Sequence, residues 1–111
     1  MKSAVPVDVT TDGVGRYPQD VESAVYFCTL EALNNVAKYA VAGQARIALI
    51  HRDGELTFEI VDDGRGFDPA VTGYGTGLQG MADRLDSIGG KLDVRSRPGE
   101  GTVIRGTVRL A

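Results

Sequence analysis

One cysteine, one histidine and no long apolar run set the first limits on this 111-residue chain. Cys28 alone excludes an internal disulfide, and its place in an apolar helical pattern reads as a buried structural thiol. No stretch approaches the ~18 consecutive apolar residues that a membrane span requires, and no signal-peptide pattern opens the chain. The expected location is therefore the cytoplasm, with no direct membrane contact, although a soluble domain cut from a membrane-anchored protein would look the same. A start at Met1-Lys2-Ser3 with a strand almost at once has the look of such an excised domain. Basic residues are not in excess: 12 Lys and Arg against 15 Asp and Glu leave a net charge of −3, which argues against DNA or RNA as partner. There is no Gly-Lys-Ser/Thr triplet for a Walker-type phosphate loop, no internal repeat and no low-complexity tract.

What is present is enough for one ordinary core. With 42% hydrophobic residues, positions 1–111 read as a single domain. Val5, Val7 and Val9 alternate with Pro6 and Asp8 as a first strand, placed on a sheet edge by the proline. Pro18 suits the first turn of a long helix, whose apolar residues recur from Val21 to about Ala40, with Gly43 ending it. Ala45–His51 and Leu56–Asp62 flank Asp53-Gly54, a strong hairpin signal. Asp63 to Thr76 lacks periodicity and reads as a mobile loop. Leu78, Met81, Ala82, Leu85 and Ile88 mark a second helix closed by Gly89-Gly90. Lys91–Ser96 and Thr102–Leu110 form a last hairpin around residues 97–101. This order predicts an α+β fold: a two-layer α/β sandwich with a mixed, mostly antiparallel sheet and helices on one face.

Two glycine-rich turns carry the chemistry. Asp62-Asp63-Gly64-Arg65-Gly66-Phe67 sets a carboxylate beside residues without side chains, so it can accept from the exocyclic amine of a ligand at close range. Gly75-Thr76-Gly77-Leu78-Gln79-Gly80-Met81 leads bare amides into a helix, a seat for phosphate. Together they suggest a nucleotide. The Gly75, Gly77, Gly80 spacing matches the dinucleotide fingerprint numerically but follows a loop instead of a strand, so a Rossmann reading fails on context. On the long helix, Glu31 and Asn35 lie one turn apart, with Lys38 further along the same side. This stripe is either an ordinary solvated face or a magnesium–triphosphate site. In the second case Asn35 would supply a hard oxygen ligand, Glu31 a carboxylate near the nucleophile, and Lys38 charge compensation for phosphate.

At these residues the chain resembles a known family. Glu31-Ala32-Leu33-Asn34-Asn35-Val36-Ala37-Lys38-Tyr39-Ala40 resembles the N box of sensor histidine kinases, and the two glycine turns resemble their glycine boxes, in the family's order. The similarity covers nearly the whole chain and implies the Bergerat ATP-binding fold, with ATP and Mg²⁺ as cofactors. It further implies that Asn35 coordinates Mg²⁺ and that Glu31 is the base-like or water-positioning carboxylate. Lys38 would touch phosphate and Tyr39 would sit by the nucleotide. Asp62 would accept from the adenine 6-amine, with Gly64 and Gly66 letting the backbone pass close to the base. Gly75, Thr76, Gly77 and Leu78 would serve the nucleotide at the helix start, and Thr102 would support the adenine-binding carboxylate. Asp63 would only cap its turn, and Arg65 would be solvated or reach phosphate. Leu78-x-Gly80-Met81-x-x-Arg84 is similar to the subfamily whose response regulators carry helix-turn-helix output domains.

The chain departs from that subfamily at Tyr39, where histidine is common, and at Asp83, where glutamate is. Between the glycine turns there is no recognisable F box, which implies a small lid. His51, in a predicted strand beside a turn, reads as structural and not as a phosphoacceptor. The function implied is therefore binding of Mg·ATP and donation of its γ-phosphoryl group to a histidine on a separate dimerisation domain, with a cognate response regulator downstream. An anti-sigma-factor-type protein-serine kinase of the same fold is the alternative, and an interaction module with decayed nucleotide binding is a third reading.

Overall fold

The structure, a computed structural model, describes residues 6–36, 43–68 and 75–110. Its elements run β1 (Val7–Asp12), α1 (Gln19–Asn35), β2 (Ala45–Arg52), β3 (Glu55–Asp62), α2 (Gly75–Asp86), β4 (Lys91–Ser96) and β5 (Thr102–Arg109). The strands form one sheet in the order β1-β2-β3-β5-β4. β1 pairs with β2 in parallel and every other pairing is antiparallel. Both helices pack against the sheet and against each other, which is the two-layer sandwich expected from the sequence.

Alternation decides which face the helices cover. Along β3, Leu56, Phe58, Ile60 and Asp62 are buried while the residues between them are only partly so, and β5 repeats this with Thr102, Ile104, Gly106 and Val108. α1 meets this face through Val21, Ala24, Cys28 and Ala32, spaced three or four apart, and α2 adds Leu78, Met81 and Leu85. Phe58, Ile60, Met81, Leu85, Val108 and Cys28 are the largest fully buried side chains. Gly106 is the cross-strand partner of Phe58, and the aromatic ring lies where a side chain on Gly106 would be.

Local chemistry sets the element ends. In the β2–β3 turn both Asp53 (φ 53°) and Gly54 (φ 74°) are left-handed, the twist that a two-residue hairpin requires. Pro18 stands one residue before α1 and not inside it, and its carbonyl accepts from the N–H groups of Val21 and Glu22 at 3.0 and 3.1 Å. Glu22 accepts from Tyr17 N–H at 3.0 Å and pairs with Arg16 at 2.7 and 3.0 Å, so an anion sits at the positive end of the helix. α2 ends where Gly90 N–H returns to Leu85 O at 2.8 Å past left-handed Gly89.

Boundaries differ from the sequence reading in β1 and in α2. β1 extends to Asp12 because Thr10, Thr11 and Asp12 gain partners along β2, a cause that lies outside their own segment. It is exposed along its length, as an edge strand is, and Pro6 O accepts from Ala45 N–H at 3.0 Å. α2 begins at Gly75, which draws the glycine turn into the helix itself. The far end of the long helix lies outside the described residues, and so do the N-terminal part of the predicted first strand and residues 69–74 of the predicted loop. Among the described residues, no helix is long and apolar enough to cross a membrane.

Candidate functional site

Asp62 ends β3 in the middle of the sheet. Ala45, Asp62, Thr102 and Ser96 form one row across β2, β3, β5 and β4, all on the helix-covered face. Asp62 and Thr102 are the buried polar residues of this row, at 7% and 8% exposure. Asp62 Oδ1 accepts from Gly64 N–H at 2.8 Å, so the side chain folds over the turn that follows it. Burial pushes its carboxyl pKa up; the Gly64 N–H opposes this and the neighbouring Asp63 charge adds to it. Asp63 behaves in the opposite way. It is exposed, accepts from Gln44 and Gly43 N–H at 3.0 and 2.8 Å, and is held below the usual carboxylate range by those two donors. Asp63 therefore caps the turn leading into β2, not its own glycine turn as the sequence suggested.

The glycine turn after Asp62 is stitched to the β4–β5 connection. Gly66 has φ 63°, and a methyl group on it would collide with Arg97 O and lie 2.7 Å from Gly101 O. Gly99 N–H donates to Arg65 O at 2.6 Å, while the Arg65 side chain is exposed. Phe67 N–H donates to Ser96 Oγ at 2.8 Å, and Ser96 Oγ–H donates to Gly101 O at 2.8 Å. Ser96 also lies 2.8 Å from Thr102 Oγ1. Reasoning from sequence passed over Ser96. Counting the predicted hairpin register from residues 97–101 would have placed it opposite Thr102.

A second polar cluster lies between the helices, which run antiparallel along a seam. Phe27 faces Arg84, whose guanidinium carbon is 4.4 Å from the ring centroid. Cys28 Sγ faces Met81 O at 3.9 Å. At the open end, Glu31 and Asn35 face Gly77: a methyl group on Gly77 would lie 3.0 Å from Glu31 Oε2 and 3.4 Å from Asn35 Nδ2. The absence of a side chain is what lets the first turn of α2 approach the polar face of α1. The first four N–H groups of a helix have no partner within it, and Gly77, in the first turn of α2, lies beside the Glu31 carboxylate and the Asn35 amide. The Leu78 side chain is in the core at 5% exposure, so it offers a ligand only its backbone. The thiol of Cys28 is pushed up to about 11, by burial first and against the charge of Arg84, as expected of an inert packing residue.

The structure thus brings together Glu31, Asn35 and Gly77 in one cluster and Asp62, Gly64, Gly66 and Thr102 in another. Gly75 and Thr76 are in the first turn of α2. Lys38 and Tyr39 lie outside the described residues. His51 is half-buried, with Nδ1 2.9 Å from Tyr17 Oη and the two rings edge to face, which is a packing role. Among the described residues, no three His, Cys, Asp or Glu side chains converge as a protein-only metal cage.

Comparison with known proteins gives this fold its family. The sequence profile of the histidine kinase-, DNA gyrase B- and HSP90-like ATPases matches residues 20–111. The signal transduction histidine-protein kinase/phosphatase DegS of Brevibacillus brevis is 36% identical over 100 residues, covering 88% of this chain and 26% of DegS. The chain thus spans about a quarter of that relative. The blue-light activated histidine kinase of Erythrobacter litoralis EL346 superposes with a TM-score of 0.79 at 23% identity, over 98% of this chain and 36% of that one. The histidine kinase domain of the same protein superposes at 0.75 and 20% identity, over 94% of this chain and 52% of that one. The chain belongs to the histidine kinase-, DNA gyrase B- and HSP90-like ATPase family, as an ATPase domain of the histidine kinase type.

Proposed function

We propose that this domain binds Mg·ATP and passes the γ-phosphoryl group to a histidine on a separate dimerisation domain. The observation that carries the reading is the contact of the first turn of α2, at Gly77, with Glu31 and Asn35. It sets the start of α2 beside an amide oxygen and a carboxylate, the kinds of group a triphosphate and its cation need. Adenine lies at the other cluster, where Asp62 accepts from the 6-amine and Thr102 supports it. The backbone at Gly64 and Gly66 shapes the pocket wall. Gly75, Thr76, Gly77 and Leu78 hold phosphate oxygens through their N–H groups. Lys38 adds charge to the phosphates and Tyr39 sits beside the nucleotide.

The donor chemistry fits magnesium. Asn35 Oδ1 is a hard neutral ligand, and Mg²⁺ commonly takes few protein ligands and completes its shell with phosphates and water. A magnesium ion held there by Asn35 would neutralise charge on the triphosphate. In transfer, the bond from the γ-phosphorus to the bridging oxygen breaks to leave ADP, and a phosphorus–nitrogen bond forms with the acceptor imidazole. Glu31 takes the proton that the imidazole releases. His51 is not that acceptor, being the chain's one histidine and already engaged with Tyr17. The acceptor domain is therefore a partner, and the phosphohistidine formed there is the donor to a response regulator.

Calorimetric titration with Mg·ADP tests the first half of the proposal: heat of binding is expected, and its absence would end this reading. Labelled ATP tests the second half. Alone the domain should stay unlabelled, whereas an acceptor-histidine domain supplied in trans should take up acid-labile label. Rapid stoichiometric labelling of the isolated chain would contradict the assignment.

A further inference from the structure

From the proton inventory of the Ser96 cluster, we infer that Ser96 sets which base the pocket accepts, by fixing the direction of the Thr102 hydroxyl. A serine hydroxyl has one proton and two lone pairs. Gly101 O lies 2.8 Å from Ser96 Oγ and, as a carbonyl, can only accept, so it takes the one Ser96 proton. Phe67 N–H lies 2.8 Å away and can only donate, so it fills one lone pair. The third partner, Thr102 Oγ1 at 2.8 Å, must then donate into the second lone pair. Every valence of Ser96 is used, and Thr102 has no proton left for a ligand.

The consequence reaches the neighbouring strand. Thr102 is the register partner of Asp62, on the same buried face. Ionised Asp62 is an acceptor, and Thr102, with its proton committed to Ser96, is an acceptor as well. A base entering here must bring donors: the 6-amine of adenine, or a water held by the base that points its hydrogens at the protein. A 6-oxo purine puts an acceptor where adenine has its 6-amine, keeps only its N1–H as a donor on that edge, and so loses the bond made at the 6-position. Ser96 is in this sense a positioning residue. Its effect on the ligand runs through Thr102, and the same hydroxyl ties the glycine turn to the hairpin through Phe67.

This inference rests on the adenine pocket proposed above, and its failure is separable from that of the pocket. The experiment compares the dissociation constants of ADP and inosine diphosphate, with magnesium, for the parent chain and two variants. Absence of ADP binding by the parent would refute the pocket itself. Given binding with a preference for ADP, Ser96→Ala frees the Thr102 proton for a 6-oxo group, and the ADP-to-inosine-diphosphate preference should narrow about tenfold. Ser96→Thr, which keeps the hydroxyl, should restore it. Thr102→Val removes the acceptor and should weaken ADP more than inosine diphosphate, which decides the matter even if Ser96→Ala does not fold. Equal weakening of both nucleotides by Ser96→Ala would make Ser96 a structural tether only and overturn the proposal. So would a loss of inosine diphosphate affinity in Thr102→Val as large as the loss for ADP.

Discussion

Gly77→Ala separates the stability of this domain from its function. The added methyl group points between the helices, 3.0 Å from Glu31 Oε2 and 3.4 Å from Asn35 Nδ2. The first distance is shorter than ordinary carbon–oxygen contact, so the carboxylate must swing aside, at a cost of order 0.5–1.5 kcal/mol for an off-rotamer side chain. Against this, alanine is favoured over glycine by about 0.8–1.0 kcal/mol in a helix interior, less in a first turn. The two effects offset each other, and the melting temperature should stay within a few degrees of the parent. Binding has no such compensation. The methyl group takes the space in which phosphate oxygens would meet the amides of α2, and it displaces the side chains proposed to hold the cation. Affinity for Mg·ADP should fall at least about tenfold, the equivalent of about 1.4 kcal/mol, whereas adenosine, which lacks phosphates, should bind as before. Calorimetry with both ligands, alongside a thermal melt, is the assay. Parent-like Mg·ADP affinity in a folded Gly77→Ala protein would refute the placement of phosphate at this seam.

Further outcomes follow from individual contacts. The Asp62 carboxyl is raised by burial, so folding favours its protonated form; the burden of the charge is absent below the ordinary carboxylate pKa of ~3.9 and complete above the raised folded value. Asp62→Asn should therefore melt higher than the parent near pH 7, with the advantage fading towards pH 3, while ADP affinity drops about tenfold or more through loss of a charged acceptor; a lower melting point at pH 7 would contradict this. Glu22 is lowered to about 2, first by the Arg16 side-chain bond and then by Tyr17 N–H. Its support of the start of α1 is present above its unfolded value of 4.5 and lost as pH falls towards 2, so Glu22→Gln should lower the melting temperature modestly at pH 7 and not at pH 2. Gly106→Ala drives a methyl group into the Phe58 ring and should destabilise by roughly 1–3 kcal/mol in urea unfolding, with partial recovery in the Phe58→Leu background. An unchanged midpoint for Gly106→Ala would mean that the sheet moves to make room.

Much of the fold was legible in the chain before any coordinates. The Asp53-Gly54 hairpin, the Val21 to Ala32 stripe and the Gly89-Gly90 stop are signals carried within short segments, where backbone sterics and side-chain period act locally. The order of the N-box helix and the two glycine turns marked the family for the same reason, since each motif is contiguous. The misplacements have a common origin. The alternation of Val5, Val7 and Val9 ends β1 three residues short because its extension comes from β2, and sequence proximity ties Asp63 to its own turn although its partners are Gly43 and Gln44, about twenty positions earlier. For Ser96 the hairpin register gives only its place opposite Thr102; the bond from Phe67, 29 positions earlier, comes only with the fold.

By itself the sequence determined a two-layer sandwich and the family it belongs to, because composition, periodicity and turn chemistry are properties of neighbouring residues. Only the tertiary structure decided that Gly77 lies against Glu31 and Asn35, that Asp62 is buried beside Thr102, and that Ser96 uses up the Thr102 proton. These are relations between elements far apart in the chain. They exist only once strand register and helix packing bring the elements within contact distance.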